Sequence, residues 1–210
     1  LRILITAGPT REFIDPVRFI SNSSTGFFGY EIAKAAVERG HKVTLISGPT
    51  FLAAPRGAKL VPVITALEMR AAVNRFFISS DCLIMSAAVA DYRPADPSGK
   101  KIKKTKSTLS IRLKKNPDIL LEMGKRKGKR ILAGFALETE DLIANAKEKL
   151  KKKNLDFIVA APLYGKNDPF GDKKARFVII DRWDNVENTV CGKEKLSNII
   201  IDKAEKMRYS

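Results

Sequence analysis

The chain has 210 residues, 44% of them hydrophobic, and a net charge of +16 from 39 Lys and Arg against 23 Asp and Glu. That length suits a single domain over residues 1–210 with a substantial core, and no apolar run approaches the roughly 18 residues that cross a bilayer. Two cysteines, Cys82 and Cys191, make neither a disulfide framework nor a metal cage, and the chain opens as a strand rather than a signal peptide, so a cytoplasmic protein with no membrane partner is expected.

Read in chain order, strands and helices alternate. "RILITA" (2–7) is an apolar strand. Residues 29–39 have helical spacing, with Ile32, Ala33, Ala36 and Val37 on one face, and Gly40 stands where a C-terminal cap belongs. "HKVTLIS" (41–47) and "AKLVPVI" (58–64) are strands. Thr65 caps a helix over "ALEMRAAVNRFF" (66–77), and "DCLIMSAAV" (81–89) is a fully apolar strand. Residues 90–107 read as an exposed loop, with two prolines, a glycine and many lysines. "TLSIRLKK" (108–115) alternates like a half-buried strand. Asn116-Pro117 opens a short helix, with Asn as cap and Pro in the first turn. A strand at 130–137, a helix at 141–153 and a strand at 155–161 follow. A second loop (162–174) precedes a hairpin over 175–181 and 186–192, and 193–207 closes the chain as a helix. Near-continuous apolar strands alternating with helices predict an α/β, Rossmann-like fold: a mostly parallel sheet covered on both faces, with a C-terminal antiparallel hairpin.

The stretch "SNSSTG" (21–26) runs into the first helix. A helix N-terminus presents unpaired N–H groups and roughly half a positive charge, and small residues let an anion approach that backbone. A cap needs one such residue and here there are six, so the run reads as a phosphate cradle, with hydroxyl donors from Ser23, Ser24 and Thr25. Neither the dinucleotide glycine pattern nor the Walker pattern is present. Tyr30 and Lys34 fit the Y-x-x-x-K pair of short-chain dehydrogenases, but in the first helix rather than after the fourth strand, and are read as helix surface. An NADP-dependent oxidoreductase is the alternative this pattern keeps open. Basic runs at 100–106, 125–130 and 147–154 would attract polyanions. They contain no aromatic residue for base stacking, so nucleic acid is not the expected partner.

Six blocks appear in order: "ITAGPTREFIDPVRFISNSSTG" (5–26), "AAVADYRP" (87–94), "KIKK" (101–104), "KNPDIL" (115–120), "GFALET" (134–139) and "KKKNLDFIVA" (151–160). Together they resemble the phosphopantothenate–cysteine ligase family over nearly the whole chain. The resemblance implies an enzyme of coenzyme A synthesis. A nucleoside triphosphate, CTP with ATP as the alternative, activates the carboxylate of 4'-phosphopantothenate as an acyl nucleotidylate and releases pyrophosphate. The amine of L-cysteine then gives 4'-phosphopantothenoylcysteine and the nucleoside monophosphate. Asn22 matches the family asparagine of the second half-reaction, and Lys101 the lysine of a flexible strap, placed here near 92–107. Arg18 matches an anion contact beside the substrate loop formed by Ser23, Ser24, Thr25 and Gly26. Ala87, Asp91, Asn116, Pro117, Asp118, Ile119, Phe135, Lys149 and Lys153 match nucleotide-binding positions. The two lysines are four apart on one helical face. Mg2+ is expected with the triphosphate, with no protein ligand indicated.

The resemblance also implies a homodimer. FMN is expected only if a flavin-dependent phosphopantothenoylcysteine decarboxylase domain is fused upstream, for which a start at Leu1 leaves room. Two departures stand out. Phe27-Phe28 replace the family's Lys-Met or similar pair after the loop glycine, and Ala161-Pro162 stand where it carries Asn-Asp.

Overall fold

Strands that are apolar on both faces need cover on both faces. β1 (Arg2–Ala7) is buried at every residue but the first. It is followed by a hairpin, β2 (Arg11–Phe13) and β3 (Phe19–Ser21), then α1 (Phe27–Glu38), β4 (Lys42–Ser47), β5 (Lys59–Pro62), α2 (Ala66–Phe77) and β6 (Cys82–Met85). The chain continues through β7 (Tyr92–Pro94), β8 (Leu113–Lys115), α3 (Ile119–Lys125), β9 (Ile131–Glu138), α4 (Leu142–Lys152), β10 (Phe157–Pro162), β11 (Ala175–Asp181), β12 (Val186–Cys191) and α5 (Lys193–Met207). The computed structural model describes residues 1–104, 107–164, 167–169 and 173–208.

Eight strands form one sheet in the order β12-β11-β10-β9-β6-β1-β4-β5. Six of them are parallel, and β11 and β12 join antiparallel, as the terminal hairpin predicted. Helices α1 and α5 pack on each other and on one face. Helices α2, α3 and α4 cover the other, each face closing its own apolar core. The strand order reverses between β1 and β6. The crevice beyond the carboxyl ends of these two strands is where such sheets bind ligands. No helix among the described residues is long and apolar enough to cross a membrane.

Local chemistry explains the element ends. Gly40 follows α1 at φ 76°, a left-handed turn natural to glycine. Thr65 Oγ1 accepts from Glu68 N at 3.2 Å, and the Glu68 carboxylate accepts from Ile64 N at 2.8 Å, a reciprocal cap for α2. Helices α3 and α4 meet at Gly124, where an added Cβ would lie 2.0 Å from Lys153 O.

Three expectations change. The alternation over 108–115 yields a strand only at Leu113–Lys115, and all three of its residues are exposed. This strand pairs with β7, inside the stretch read as a loop, and stays outside the main sheet. The cap of α3 is Asp118 rather than Asn116: its carboxylate accepts from Leu121 N at 3.0 Å. Asn116 is committed elsewhere, donating to Ala90 O at 2.8 Å and accepting from Arg93 at 2.6 Å. Tyr30 is buried rather than on the surface. Its hydroxyl donates to Ser47 Oγ at 3.1 Å and accepts from Thr50 at 3.3 Å, so it ties α1 to the end of β4. Lys34 is exposed. The second loop falls partly outside the described residues.

The Gly124 contact makes a strong prediction. Gly124→Ala should cost about 3 kcal/mol, since the new methyl meets backbone that cannot yield. Thr65→Ala should cost about 1 kcal/mol. Urea unfolding of both variants checks this; a Gly124→Ala loss no greater than that of Thr65→Ala would contradict the packing.

Candidate active site

The backbone leaving β1 and the backbone leaving β6 run side by side into the crevice. Two buried threonines hold them together: Thr6 Oγ1 accepts from Ala87 N at 3.2 Å and Thr10 Oγ1 from Ala90 N at 3.0 Å. Ser86 Oγ donates to Thr6 O at 2.7 Å, and Ala88 N to Gly8 O at 2.9 Å. The result is a fixed floor of main chain at 86–90.

Helix α1 enters this floor through Gly26, its N-cap, at φ 79°. An added Cβ there would lie 2.6 Å from Thr50 Cγ2 and 3.1 Å from Gly8 Cα. Ser24 Oγ accepts from Gly26 N and Thr25 Oγ1 from Phe27 N, each at 3.3 Å. Their oxygens accept from the main chain and fold the loop onto the helix end, which leaves each O–H, expected as a donor to a ligand, its donor capacity.

Two cavities open on the floor. The first, about 430 Å³, is lined by all nine residues matched to nucleotide binding: Ala87, Asp91, Asn116, Pro117, Asp118, Ile119, Phe135, Lys149 and Lys153. Its lysines are held by carboxylates: Lys149 Nζ lies 3.3 Å from Glu138 and Lys153 Nζ 2.9 Å from Asp118. Burial works to raise the Asp118 pKa, but the Lys153 ammonium and the Leu121 N–H outweigh it and leave the carboxyl below its ordinary value. Tyr92 and Lys115 also line this cavity and were not singled out from the sequence; they arrive on β7 and β8, the strands least visible there.

The second cavity, about 450 Å³, is lined by Asn22, Ser23, Ser24 and an apolar wall that includes Phe28 and Phe177. Ala87, Asp91 and Phe135 line both cavities, so the two adjoin. Asn22 Nδ2 donates to Val89 O at 3.2 Å and Ala88 O at 3.4 Å, which fixes the amide on the floor. Phe28 packs edge-on to Phe135 at 5.1 Å and stacks on Phe177 at 6.1 Å, accounting for one of the two unexpected phenylalanines. Phe27 lies beneath the Lys193 ammonium at 5.8 Å. At the end of β10, where Ala161-Pro162 lack the expected amide, Asn167 Nδ2 donates to Pro162 O at 2.9 Å.

Four predicted residues line neither cavity: Arg18, Thr25, Gly26 and Lys101. Arg18, matched to an anion contact, is engaged within the protein: its Nε lies 3.0 Å from Asp15 Oδ2, and its Nη2 donates to Ile102 O at 2.8 Å. Lys101, next to Ile102, is exposed. The only sequence sign of Asp15 is its place three residues before Arg18 in "DPVR".

Fold and crevice define a doubly wound, Rossmann-like α/β protein. The chain belongs to the family described as the DNA/pantothenate metabolism flavoprotein C-terminal domain, which matches residues 1–207. The coenzyme A biosynthesis bifunctional protein CoaBC of Bacillus subtilis (strain 168) is 48% identical over 170 residues, 80% of this chain and 42% of that protein. CoaBC of Vibrio parahaemolyticus is 42% identical over 210 residues, 98% of this chain and 52% of that protein. The chain thus spans about half the length of the curated relatives it matches. The crystal structure of the C-terminal domain of a CoaBC superposes with a TM-score of 0.84 at 39% identity, covering 98% of this chain and 94% of that one.

The Asp15 carboxyl sits well below the usual carboxylate range. The Arg18 guanidinium lowers it most; burial opposes this, and the N–H groups of Ile102, Val17 and Arg18 lower it further. A depressed folded-state pKa contributes stability fully above the unfolded value, about 3.9, and loses it as pH falls through the folded value. The difference in unfolding free energy between wild type and Asp15→Asn should therefore be constant above about pH 5 and shrink below about pH 4. Acid titration of urea midpoints measures it; a difference that grows toward acid would contradict the assignment.

Proposed function

We propose that this chain is a phosphopantothenate–cysteine ligase of coenzyme A biosynthesis, with residues 1–210 acting as one domain. The observation that carries the reading is the shared wall. One cavity is rimmed by lysines and the other by an amide and small hydroxyls, and they adjoin at Ala87, Asp91 and Phe135. A reaction joining an acyl group to a nucleotide needs two sites that meet at the reacting atoms.

In this reading CTP occupies the first cavity, with ATP as the alternative. Lys149 and Lys153 turn from Glu138 and Asp118 toward the triphosphate. Asn116, Pro117, Asp118 and Ile119 form the wall beside the base and ribose. Phosphopantothenate lies in the second cavity, its phosphate toward Ser23, Ser24, Thr25 and Gly26. A carboxylate oxygen attacks the α-phosphorus and expels pyrophosphate. The cysteine amine then attacks the acyl carbon, the nucleoside monophosphate leaves, and the amine gives up its proton. Asn22, its Nδ2 held by the floor, keeps Oδ1 to orient the incoming amine. Lys101 on the strap approaches the charge that develops at phosphorus. Among the described residues no group of three or more His, Cys, Asp or Glu could hold a metal ion. Mg2+ is read accordingly as an ion that arrives with the triphosphate and neutralises its charge.

The relatives are described as bifunctional and are about twice as long as this chain; we read the remaining half as a flavin-dependent decarboxylase domain, with FMN, joined to this one in a cytoplasmic protein. A homodimer is also proposed. Its support is the exposed apolar side chains of the arm that the β2–β3 and β7–β8 hairpins form outside the main sheet, among them Phe13, Val17, Phe19, Leu109, Ile111 and Leu113. A sedimentation mass near one 23.3 kDa chain at micromolar concentration would remove that claim.

Pyrophosphate release and phosphopantothenoylcysteine formation, followed together with CTP or ATP, test the reaction. Lys149→Gln with Lys153→Gln should raise the nucleotide KM about 10- to 100-fold, the scale of lost charge-assisted hydrogen bonds. Asn22→Asp should still release pyrophosphate but form little product. No phosphopantothenate-dependent release with either nucleotide would overturn the proposal.

A further inference from the structure

Among the described residues the strap backbone hydrogen-bonds to the β2–β3 hairpin at Ser98 and Ile102. Ser98 N donates to Ile14 O at 2.9 Å. Ile102 is held by both of its backbone groups: its N–H donates to Asp15 Oδ2 at 3.1 Å, and its carbonyl accepts from Arg18 Nη2 at 2.8 Å. Asp15 is 1% exposed. Its other oxygen, Oδ1, accepts from Val17 N and Arg18 N, both at 2.9 Å. One buried carboxylate thus divides its work. Oδ1 shapes the turn that presents Arg18, and Oδ2 takes the strap.

A buried charge is tolerated when its partners are complete. Here the strap backbone is one of those partners, so undocking the strap leaves part of a buried carboxylate uncompensated. That distinguishes this contact from a loop resting on a surface. Lys101 is the next residue, one 3.8 Å Cα step from the held point, and its side chain is exposed. Holding Ile102 therefore sets the small region that the Lys101 ammonium can sweep. Arg18 reaches no cavity because it is the second half of the same clamp.

We infer that Asp15 is a positioning residue: together with Arg18 it clamps Ile102 and so fixes where Lys101 stands over the reacting groups. The inference rests on the ligase reading for the role of Lys101, whereas the clamp itself does not.

Asp15→Asn is the discriminating change. With its amide oxygen at the Oδ1 position it can keep the turn, while the amide nitrogen then faces the Ile102 N–H, donor against donor. Trypsin digestion of the native full chain, without substrate, reads the clamp. Cleavage after Lys103 and Lys104 should accelerate at least about tenfold in the variant, the scale of losing one hydrogen bond to a charged group. A rate within twofold of wild type, or an acceleration no greater than at cleavage sites elsewhere in the chain, would overturn it, since the lower urea midpoint expected of this variant acts on every site alike. Should Asp15→Asn fail to fold, Ile102→Pro removes the strap donor and leaves the hairpin residues unchanged, and it must give the same acceleration after Lys104; failure there also overturns the clamp.

The second readout is pyrophosphate released per phosphopantothenoylcysteine formed. It should be one in wild type. In Asp15→Asn it should rise above one, because water reaches the acyl nucleotide, regenerating the carboxylate and freeing the nucleoside monophosphate. A ratio that stays at one despite faster proteolysis would overturn the positioning role. No ligation by wild type with CTP or ATP would instead remove the ligase reading, and with it the role given to Lys101, leaving the proteolysis to decide the clamp.

Discussion

The parallel pairing of β1 with β6 is the constraint on which the rest depends. At that pair the strand order turns outward in both directions, so the chains leaving the two strands have no helix packed between them. They would diverge if nothing held them. Thr6 and Thr10, both fully buried, bridge them instead. That bridge builds the floor at 86–90, which receives the Asn22 amide and separates two cavities that share three residues. The approach of α1 is equally constrained, because Gly26 and Gly8 leave no room for a side chain where the helix meets the floor.

A chain with a net charge of +16 organises itself around its carboxylates. Asp156 is 1% exposed and joins β9 to β10. It accepts from Leu132 N at 2.7 Å and pairs with Lys127 at 2.7 Å and Arg182 at 2.9 Å. Glu12, also buried, reaches from the hairpin to accept from Ala66 N at the start of α2, where a negative charge meets the helix dipole. Asp118 and Glu138 hold the two lysines of the first cavity. The carboxylates differ in burial: the Asp156 side chain is almost wholly enclosed, whereas those of Glu138 and Asp118 are partly exposed beside the first cavity.

Much of this was legible in the sequence. The inner strands of the main sheet announce themselves because they are short, apolar and bounded by turn residues, whereas the edge strands β5 and β12 are largely exposed. Thr65 and the final helix were placed by local capping and periodicity alone. The arm was not legible, for a physical reason. β2, β3, β7 and β8 are three residues each and largely exposed, so they carry no burial pattern. Leu109, Ile111 and Leu113 alternate as a half-buried strand would, yet all three stay exposed. In the candidate site, the resemblance gathered the residues of the first cavity, because main chain and lysines there follow sequence blocks. It did not show Arg18 turned to the strap, nor Asp15 behind it. A residue that acts by bonding another segment's backbone leaves no trace in the spacing of its own.

If a nucleotide and an acyl chain fill the two adjoining cavities together, a ligand that carries both must protect both. Amide hydrogen exchange with a stable phosphodiester analogue of the acyl cytidylate measures this. The analogue should slow exchange at Ala87, Ala90 and Asn116 and also at Gly26 and Phe27, whereas CTP alone should slow only the first group. Protection confined to one group with the analogue, or appearing away from both, would contradict it.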